Sequence, residues 1–277
     1  MSTRCYSGER EIAGIDPRNR GLAYGDGLFE TMRVHRGRVP LWPRHLARLR
    51  EGASRLGIAL ASVDCMEARI AEAIGGCGAG VLKLLLTRGG GGRGYAPAVD
   101  SAPAWLLSLH PMPAPPRSGL LLHWCETRLA LQPALAGIKH CNRLEQVLAR
   151  AEVERAGRDE GLMLDMAGIP TCATAANLLV LREGRWSTPR VDACGVAGVL
   201  RGWLLEQGLV EIADHAPAAV ESANALALCN AVRGILPVAA LGARAWAPHP
   251  ALADLQERLA MAYPMFSEAL PDAGMGA

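Results

Sequence analysis

Apolar residues recur at helical spacing in some stretches of the chain and cluster in short blocks in others, with glycine, proline and asparagine between them. The block over 28–34 follows the turn signal Gly25-Asp26-Gly27 and predicts a strand. His35-Arg36-Gly37-Arg38 predicts a hairpin turn, with a return strand beginning over 39–42. Pro43 suits the first position of a helix, Leu46, Leu49, Ala53 and Leu56 mark its apolar face, and Gly57 ends it. Arg44, Arg48 and Arg55 lie off that face. Ser62 caps a second predicted helix carrying Met66, Ile70 and Ala73, which stops at Gly75-Gly76. Two more strands are expected over 81–87 and 104–110, separated by a loop over 88–95. Strand, strand, helix, helix, strand, strand is an α+β layer arrangement.

His110-Pro111-Met112-Pro113-Ala114-Pro115-Pro116 forbids helix and favours an extended spacer. The chain is therefore expected to divide into an N-terminal α+β domain over 1–110, a proline-rich linker over 111–119 and a C-terminal domain over 120–277. The second part opens with a strand over 120–124. A helix over about 142–156 follows, with Asn142 as its cap and Leu144, Val147, Leu148 and Ala151 as one apolar stripe. Strands are expected over 161–165 and 177–181, with turns at Met166-Ala167-Gly168 and Arg182-Glu183-Gly184-Arg185. Gly195-Val196-Ala197-Gly198 leads into a helix that runs to Leu205, 225–229 is a short strand, and a helix follows Pro248.

Composition narrows the class. The chain has 277 residues, 50% hydrophobic and 20% charged, enough apolar material for a substantial core. A net charge of +2 argues against a large nucleic-acid footprint. No uncharged apolar run reaches the roughly 18 residues that span a bilayer, and the polar start over 1–10 has no secretory h-region. Eight cysteines occur without a CxxC pair or a Cys/His cluster of zinc spacing, so no metal site is expected. A cytoplasmic protein with reduced thiols is the expectation.

Three stretches carry candidate chemistry. Lys139 in Gly137-Ile138-Lys139-His140-Cys141-Asn142 precedes a helix; taken alone it reads either as a surface lysine flanking that helix or as a nucleophile whose amine pKa is lowered by the positive helix end and partial burial. The glycine-rich loop Arg88 to Tyr95 lacks a phosphate-loop ending and presents Arg88 and Arg93, suited to a carboxylate-bearing substrate. Gly195-Val196-Ala197-Gly198 lets backbone N–H groups approach an anion at a helix start. No G-x-S-x-G appears, and the adjacent His140 and Cys141 do not face each other as a nucleophile pair would.

Together these motifs resemble the class IV aminotransferase superfamily, of fold type IV, and within it the aminodeoxychorismate lyases. The resemblance covers most of the chain. It rests on the stretch from Arg20 to Thr31, on the Arg88–Tyr95 loop and on the stretch from Leu135 to Gln146. Further matches are Ala175-Ala176-Asn177-Leu178, Thr188-Pro189 and Gly195-Val196-Ala197-Gly198 with Arg201. It implies a small N-terminal α/β two-layer domain and a larger C-terminal α/β barrel-like domain. It also implies pyridoxal 5'-phosphate as cofactor and a homodimer with sites near the subunit interface. Lys139 would be the Schiff-base lysine and Arg48 the phosphate arginine. Val196 and Ala197 would be backbone phosphate donors, with Cys229 and Asn230 beside them. Thr31, Arg88, Arg93 and Tyr95 would lie on the substrate side.

One position departs from the family. Where the resemblance places a glutamate against the pyridine nitrogen, five residues before Asn177, this chain has Cys172. A neutral thiol makes a weaker electron sink than a carboxylate allows. Transamination suffers most from that, whereas an elimination yielding an aromatic ring has its own driving force. The expected activity is thus elimination of pyruvate from 4-amino-4-deoxychorismate, giving p-aminobenzoate for folate synthesis. The alternatives are an aminotransferase for D-amino or branched-chain acids and a catalytically degenerate homologue.

Overall fold

The structure is a computed structural model that describes residues 3–91, 94–97, 101–114 and 119–267. The first sheet is built before the proline-rich stretch. Its elements are β1 (Thr3–Ser7), β2 (Arg10–Ile12), α1 (Arg20–Tyr24), β3 (Gly27–His35), α2 (Trp42–Leu56), α3 (Val63–Ile74), β4 (Ala79–Thr87) and β5 (Ala104–His110). The strands run β2-β1-β5-β4-β3, all antiparallel, which leaves β3 at an edge. The pleat of β3 sorts its side chains. Leu28, Glu30, Met32 and Val34 are buried, and the apolar three join Leu49, Ile70 and Leu84 in one core with α2 and α3. Phe29 and Thr31, on the alternate positions, line the cavity described below. The return strand expected over 39–42 does not form. Arg36 and Gly37 make the tight turn with φ of 49° and 68°. His35 and Arg38 then pair as a single bridge. Pro40 has no N–H to continue a ladder, and Trp42 opens α2.

The second sheet follows. Its elements are β6 (Leu120–Trp124), α4 (Leu144–Arg155), β7 (Glu160–Leu164), β8 (Pro170–Ala173), β9 (Asn177–Arg182), β10 (Arg185–Thr188), α5 (Val199–Glu206), β11 (Glu211–Ile212), α6 (Pro217–Glu221), β12 (Ala225–Asn230), β13 (Gly234–Leu241), β14 (Arg244–Ala245) and α7 (Pro250–Ala262). The order β9-β12-β13-β6-β7-β8 closes on itself through the pair Cys172↔Asn177, making a six-stranded barrel. The barrel-like second half is therefore as expected. β6 is parallel to both β13 and β7, and the other barrel pairs are antiparallel. Strands β9 and β12 are buried on both faces. Leu178, Val180, Leu226 and Leu228 join one cluster, while Leu179, Leu181, Ala225 and Ala227 pack with Leu204 and Leu255 from α5 and α7. Such strands lack the alternation that marks a half-exposed one. Residues 111–114 are neither helix nor strand, and the rest of the prolines lie outside the described residues.

Two expectations are corrected at α4. The helix begins at Leu144, and Asn142 does not cap it; the Asn142 amide instead donates to Gly25 O at 3.4 Å. The apolar stripe faces outward: Leu144 is 76% exposed, Val147 60% and Leu148 59%, while Ala149 and Val153 make the contact with the barrel. Helical spacing reports that a face wants a partner without saying where that partner is.

The glycine-rich loop is anchored at both ends. The Arg20 guanidinium, 4% exposed as a residue, donates to the carbonyls of Gly94, Tyr95 and Ala96 and to Asp26 Oδ2 at 2.9 Å. Arg88 donates to the same carboxylate at 2.8 Å and to the carbonyls of Leu56 and Gly57, which end α2. One carboxylate thus neutralises two guanidiniums. Asp26→Ala is expected to lower unfolding stability by about 1.5–3 kcal/mol, the range for hydrogen bonds to charged groups, as read from urea denaturation. Arg88→Ala in the same assay is expected to cost less, since Asp26 keeps Arg20.

Candidate active site

The segment 137–141 is stitched into the protein on both sides. Phe29 N donates to Lys139 O at 2.9 Å and Cys141 N donates to Gly27 O at 2.9 Å, so the open edge of β3 takes it as a short added strand. At the other end Gly137 N donates to Gly195 O at 3.0 Å, and Ala197 N donates to Gly137 O at 2.9 Å. Gly137 has φ of +80°, the left-handed conformation that glycine tolerates best. Lys139 projects from this segment into a cavity of about 530 Å³, lined by both sheets and by the start of α5.

Electrostatics in the cavity are one-sided. Arg48, Lys139, Arg143 and Arg233 line it, and no aspartate or glutamate does so among the described residues. Burial, followed by the charge of Arg48, brings the Lys139 amine down to about 7, against the opposite pull of Glu30. The amine sits 4.4 Å from the centroid of the Phe29 ring.

Glu30 lies beneath the cavity wall, 1% exposed, and binds both Arg48 and His45. Arg48 Nε donates to Glu30 Oε1 at 2.8 Å, and His45 Nδ1 lies 2.7 Å from Oε2. Burial pushes the Glu30 carboxyl up, but the Arg48 charge and the hydrogen bonds from His45 and Arg48 outweigh it and hold it near 2. The carboxylate therefore fixes Arg48 in place, and Arg48 NH1 reaches Ala197 O at 3.0 Å. Asn177 Nδ2 holds the neighbouring carbonyl of Val196 at 2.9 Å. At Gly198 a Cβ would stand 1.9 Å from Asn177 Oδ1, so this turn needs glycine. The N–H groups of Gly198 and Val199 start α5 and have no acceptor within it, which makes an anion-binding end beside Arg48.

Most expected site residues converge here. Lys139, Arg48, Thr31, Cys172, Val196, Cys229 and Asn230 all line the cavity. Cys172 and Cys229 are buried neutral thiols, each pushed up to about 12 by burial. Asn230 and the remaining candidates are placed as follows. The Ala197 N–H is engaged by Gly137, so it is not available as an anion donor in this arrangement. Asn230 turns its amide on its own hairpin: Oδ1 accepts from Val232 N and Arg233 N, and Nδ2 donates to Ala175 O. Arg88 does not reach the cavity; Asp26 and the end of α2 hold it elsewhere. Tyr95 is 84% exposed against Tyr24 and does not line the cavity of its own chain. Arg93 lies outside the described residues.

Glu30, His45, Asn177, Arg143 and Arg233 also build the site and were not assigned roles from the sequence. Glu30 carried a signal, as an acid between Leu28 and Met32 on the buried face of a strand. His45 and Arg48, three apart on α2, are the matching signal on the helix. Arg143 lies in the lysine stretch itself; its guanidinium caps the carbonyls of His140 and Ile138.

Comparison with known proteins agrees with this geometry. Residues 27–241 match the family model for amino-transferase class IV. The chain is 33% identical over 239 residues to the aminodeoxychorismate lyase of Vibrio harveyi, an alignment covering 81% of this chain and 86% of that protein. The crystal structure of 4-amino-4-deoxychorismate lyase from Pseudomonas aeruginosa superposes with a TM-score of 0.86 at 44% identity, covering 93% of this chain and 98% of that one. The branched-chain amino acid aminotransferase from Escherichia coli shares the fold, with a TM-score of 0.81 at 19% identity over 99% of this chain and 98% of that one. On the family match and these relatives, the chain belongs to the class IV aminotransferase family.

Proposed function

We propose that the protein is a pyridoxal phosphate-dependent aminodeoxychorismate lyase, which converts 4-amino-4-deoxychorismate to p-aminobenzoate and pyruvate. The observation that carries this reading is the Lys139 amine, buried without an acidic partner on the cavity wall and brought down to about 7. The two lyase relatives select this reaction within the family. The residues present fit the cofactor. A nucleophilic amine stands in a cavity of about 530 Å³, within the usual size for a cofactor site. Arg48 and the start of α5 provide a cationic, N–H-rich end suited to a phosphate.

When bound, pyridoxal phosphate supplies an electrophilic carbonyl and an electron-withdrawing ring that make the carbon bearing the substrate amine acidic. Lys139 does the rest of the proton work in this reading. Near neutral pH a large share of its amine is unprotonated, so Nζ accepts the proton from the amine-bearing ring carbon. The C–O bond to the three-carbon group breaks, the six-membered ring becomes aromatic, and Nζ returns a proton to the departing enol, which leaves as pyruvate. Arg48 keeps the anionic end fixed while this happens, because Glu30 and Ala197 O hold its guanidinium from behind.

Cys172 favours this outcome over transamination. Its neutral thiol leaves the ring a modest electron sink, and formation of an aromatic product compensates in a way that amino-group exchange cannot. We also read the two sheets as two domains joined across 111–119, and the protein as a cytoplasmic homodimer. The outward stripe of Leu144, Val147 and Leu148 and the exposed Leu131 support the dimer. Eight cysteines without a disulfide suit a reducing compartment. No helix among the described residues is long and apolar enough to cross a membrane.

Incubation with 4-amino-4-deoxychorismate should yield p-aminobenzoate and pyruvate in equal amounts, resolved by chromatography. Lys139→Ala should abolish both products and the visible absorbance of the bound cofactor; a variant that kept either would remove the role given to Lys139. Covalent capture of pyridoxal phosphate by the cofactor-free protein, trapped with borohydride and located by mass spectrometry, should rise with pH through about 7, because only the unprotonated amine attacks. A flat profile between pH 6 and 8 would contradict the lowered amine. Cys172→Glu should speed loss of the visible band on addition of an amino acid such as D-alanine, relative to the parent protein. An unchanged or slower loss would show that the thiol does not limit transamination.

A further inference from the structure

The site described so far holds the cofactor end and the reacting carbon, and leaves open what recognises the remainder of the substrate. Among the cations lining the cavity, three are already committed. Lys139 carries the chemistry, Arg48 is neutralised by Glu30, and Arg143 caps two carbonyls. The fourth, Arg233, has a single long contact, from NH2 to Ala114 O at 3.4 Å, and no acidic partner among the described residues.

The backbone that presents Arg233 is fixed more firmly than its side chain. It lies in the turn between β12 and β13. Asn230 Oδ1 accepts from Val232 N at 3.1 Å and from Arg233 N at 2.8 Å, and Asn230 Nδ2 ties the turn to Ala175 O at 3.3 Å. Gly234, at φ +78°, ends the turn where a Cβ would meet the Phe266 ring at 2.8 Å. On the other side Arg33 NH1 donates to Val232 O at 3.2 Å, joining the turn to β3. A guanidinium with a positioned base and free N–H groups is the arrangement that receives an anion.

Register places this turn relative to Lys139. Phe29 is the β3 residue bonded to the Lys139 peptide, and Arg33 is the one bonded to the Arg233 turn. Four residues of strand separate them, roughly 13 Å at the usual rise. The wall at the Arg33 level is Val81, paired with Arg33, and His110, paired with Val81. A molecule with its amine-bearing carbon at Lys139 that extends along β3 reaches the Arg233 turn.

Resting on the lyase reading above, we infer that Arg233 is a specificity-determining residue, which binds the substrate carboxylate remote from the reacting amine. The site thereby selects dianionic ring acids over simple amino acids. Arg233 takes no proton and touches no reacting atom, so its loss affects binding more than turnover.

The test uses the cofactor-loaded full chain and its Arg233→Gln and Arg233→Lys variants. Two readouts are taken: KM and kcat for 4-amino-4-deoxychorismate, and the Kd of isophthalate, a ring dicarboxylate without an amine, from its effect on the visible band. Arg233→Gln should raise KM by about 10- to 100-fold, the worth of a charge-assisted hydrogen bond, with kcat within about twofold, the range of a binding-only effect. Its isophthalate Kd should rise in parallel while cofactor affinity stays unchanged, and Arg233→Lys should recover part of the loss. Unchanged KM and isophthalate Kd in Arg233→Gln would overturn the inference. So would a fall in kcat and cofactor affinity together, which would mark Arg233 as a strut for the Ala114 segment. Failure of the parent protein to bind isophthalate would also count against it. If the parent forms no p-aminobenzoate yet binds isophthalate through Arg233, the lyase reading fails and the carboxylate site stands.

Discussion

The short added strand over 137–141 is the constraint on which the site depends. β3 ends the first sheet with an unpaired edge, and such an edge must be covered or paired. Here it is paired by the segment carrying Lys139, through Phe29 N to Lys139 O and Cys141 N to Gly27 O. Four residues earlier than Cys141, Gly137 makes reciprocal bonds with the loop before α5. The same few peptide groups therefore join the first sheet, the reactive amine and the anion-binding helix start. Their relative positions are set by backbone hydrogen bonds and reinforced by the side chains of Arg143, Arg48 and Asn177, which hold carbonyls of the same segments. The placement of a buried amine beside a helix start is thus a by-product of how the two sheets are joined.

Charge in the site follows from that architecture. An amine placed between two sheets loses its water, and burial is the largest reason its pKa falls to about 7. A carboxylate beside it would reverse the effect by pairing with the ammonium. The nearby buried acid, Glu30, is directed to Arg48 and His45 on α2 instead, and its pull on Lys139 is outweighed by burial and the charge of Arg48. Removing Glu30 would leave Arg48 as an uncompensated buried cation, the expensive way to break such a pair. Glu30 thus permits an arginine on the cavity wall without pairing directly with the lysine. The alternation of β3 makes this possible, because Glu30 and Phe29 point to opposite faces of one strand.

Much of this was legible in the sequence, and the failures share a cause. Strands β5 and β6 and helices α2 and α3 have their signals in local spacing, and they form where the spacing puts them. Lys139 and Arg48 stood out because a motif carries each, and the structure brings both to one cavity. β8 was not, since Pro170–Ala173 is four residues long and buried throughout, with no alternation to read. Arg88 looked like a free cation because its partner, Asp26, lies 62 residues away and is shared with Arg20. The stripe on α4 looked like a core face because periodicity gives the direction of a face and not its partner. The Ala197 N–H looked available because its acceptor, Gly137, is sixty residues upstream. In each case the local pattern was present, and the long-range pairing that decides its meaning was not encoded nearby.

Cys172 shows how closely barrel and site are coupled. The barrel closes through the single pair Cys172↔Asn177, at the two ends of a tight connection between β8 and β9. Asn177 in turn pairs with Cys229 on β12 and holds the Val196 carbonyl in the loop before α5. A residue that lines the cavity is therefore also a residue of the barrel seam. A small thiol fits this position while remaining neutral, because burial keeps its proton in place. Any larger or charged side chain would have to be accommodated between Cys194, in the same packed cluster, and the guanidinium of Arg143. Arg143 is largely desolvated and satisfied by carbonyls alone, so a carboxylate at 172 would gain a ready counter-ion at the same time as it altered the ring. Electrostatics across the seam would then change together with catalysis, which is why chemistry at this position cannot be read apart from the fold.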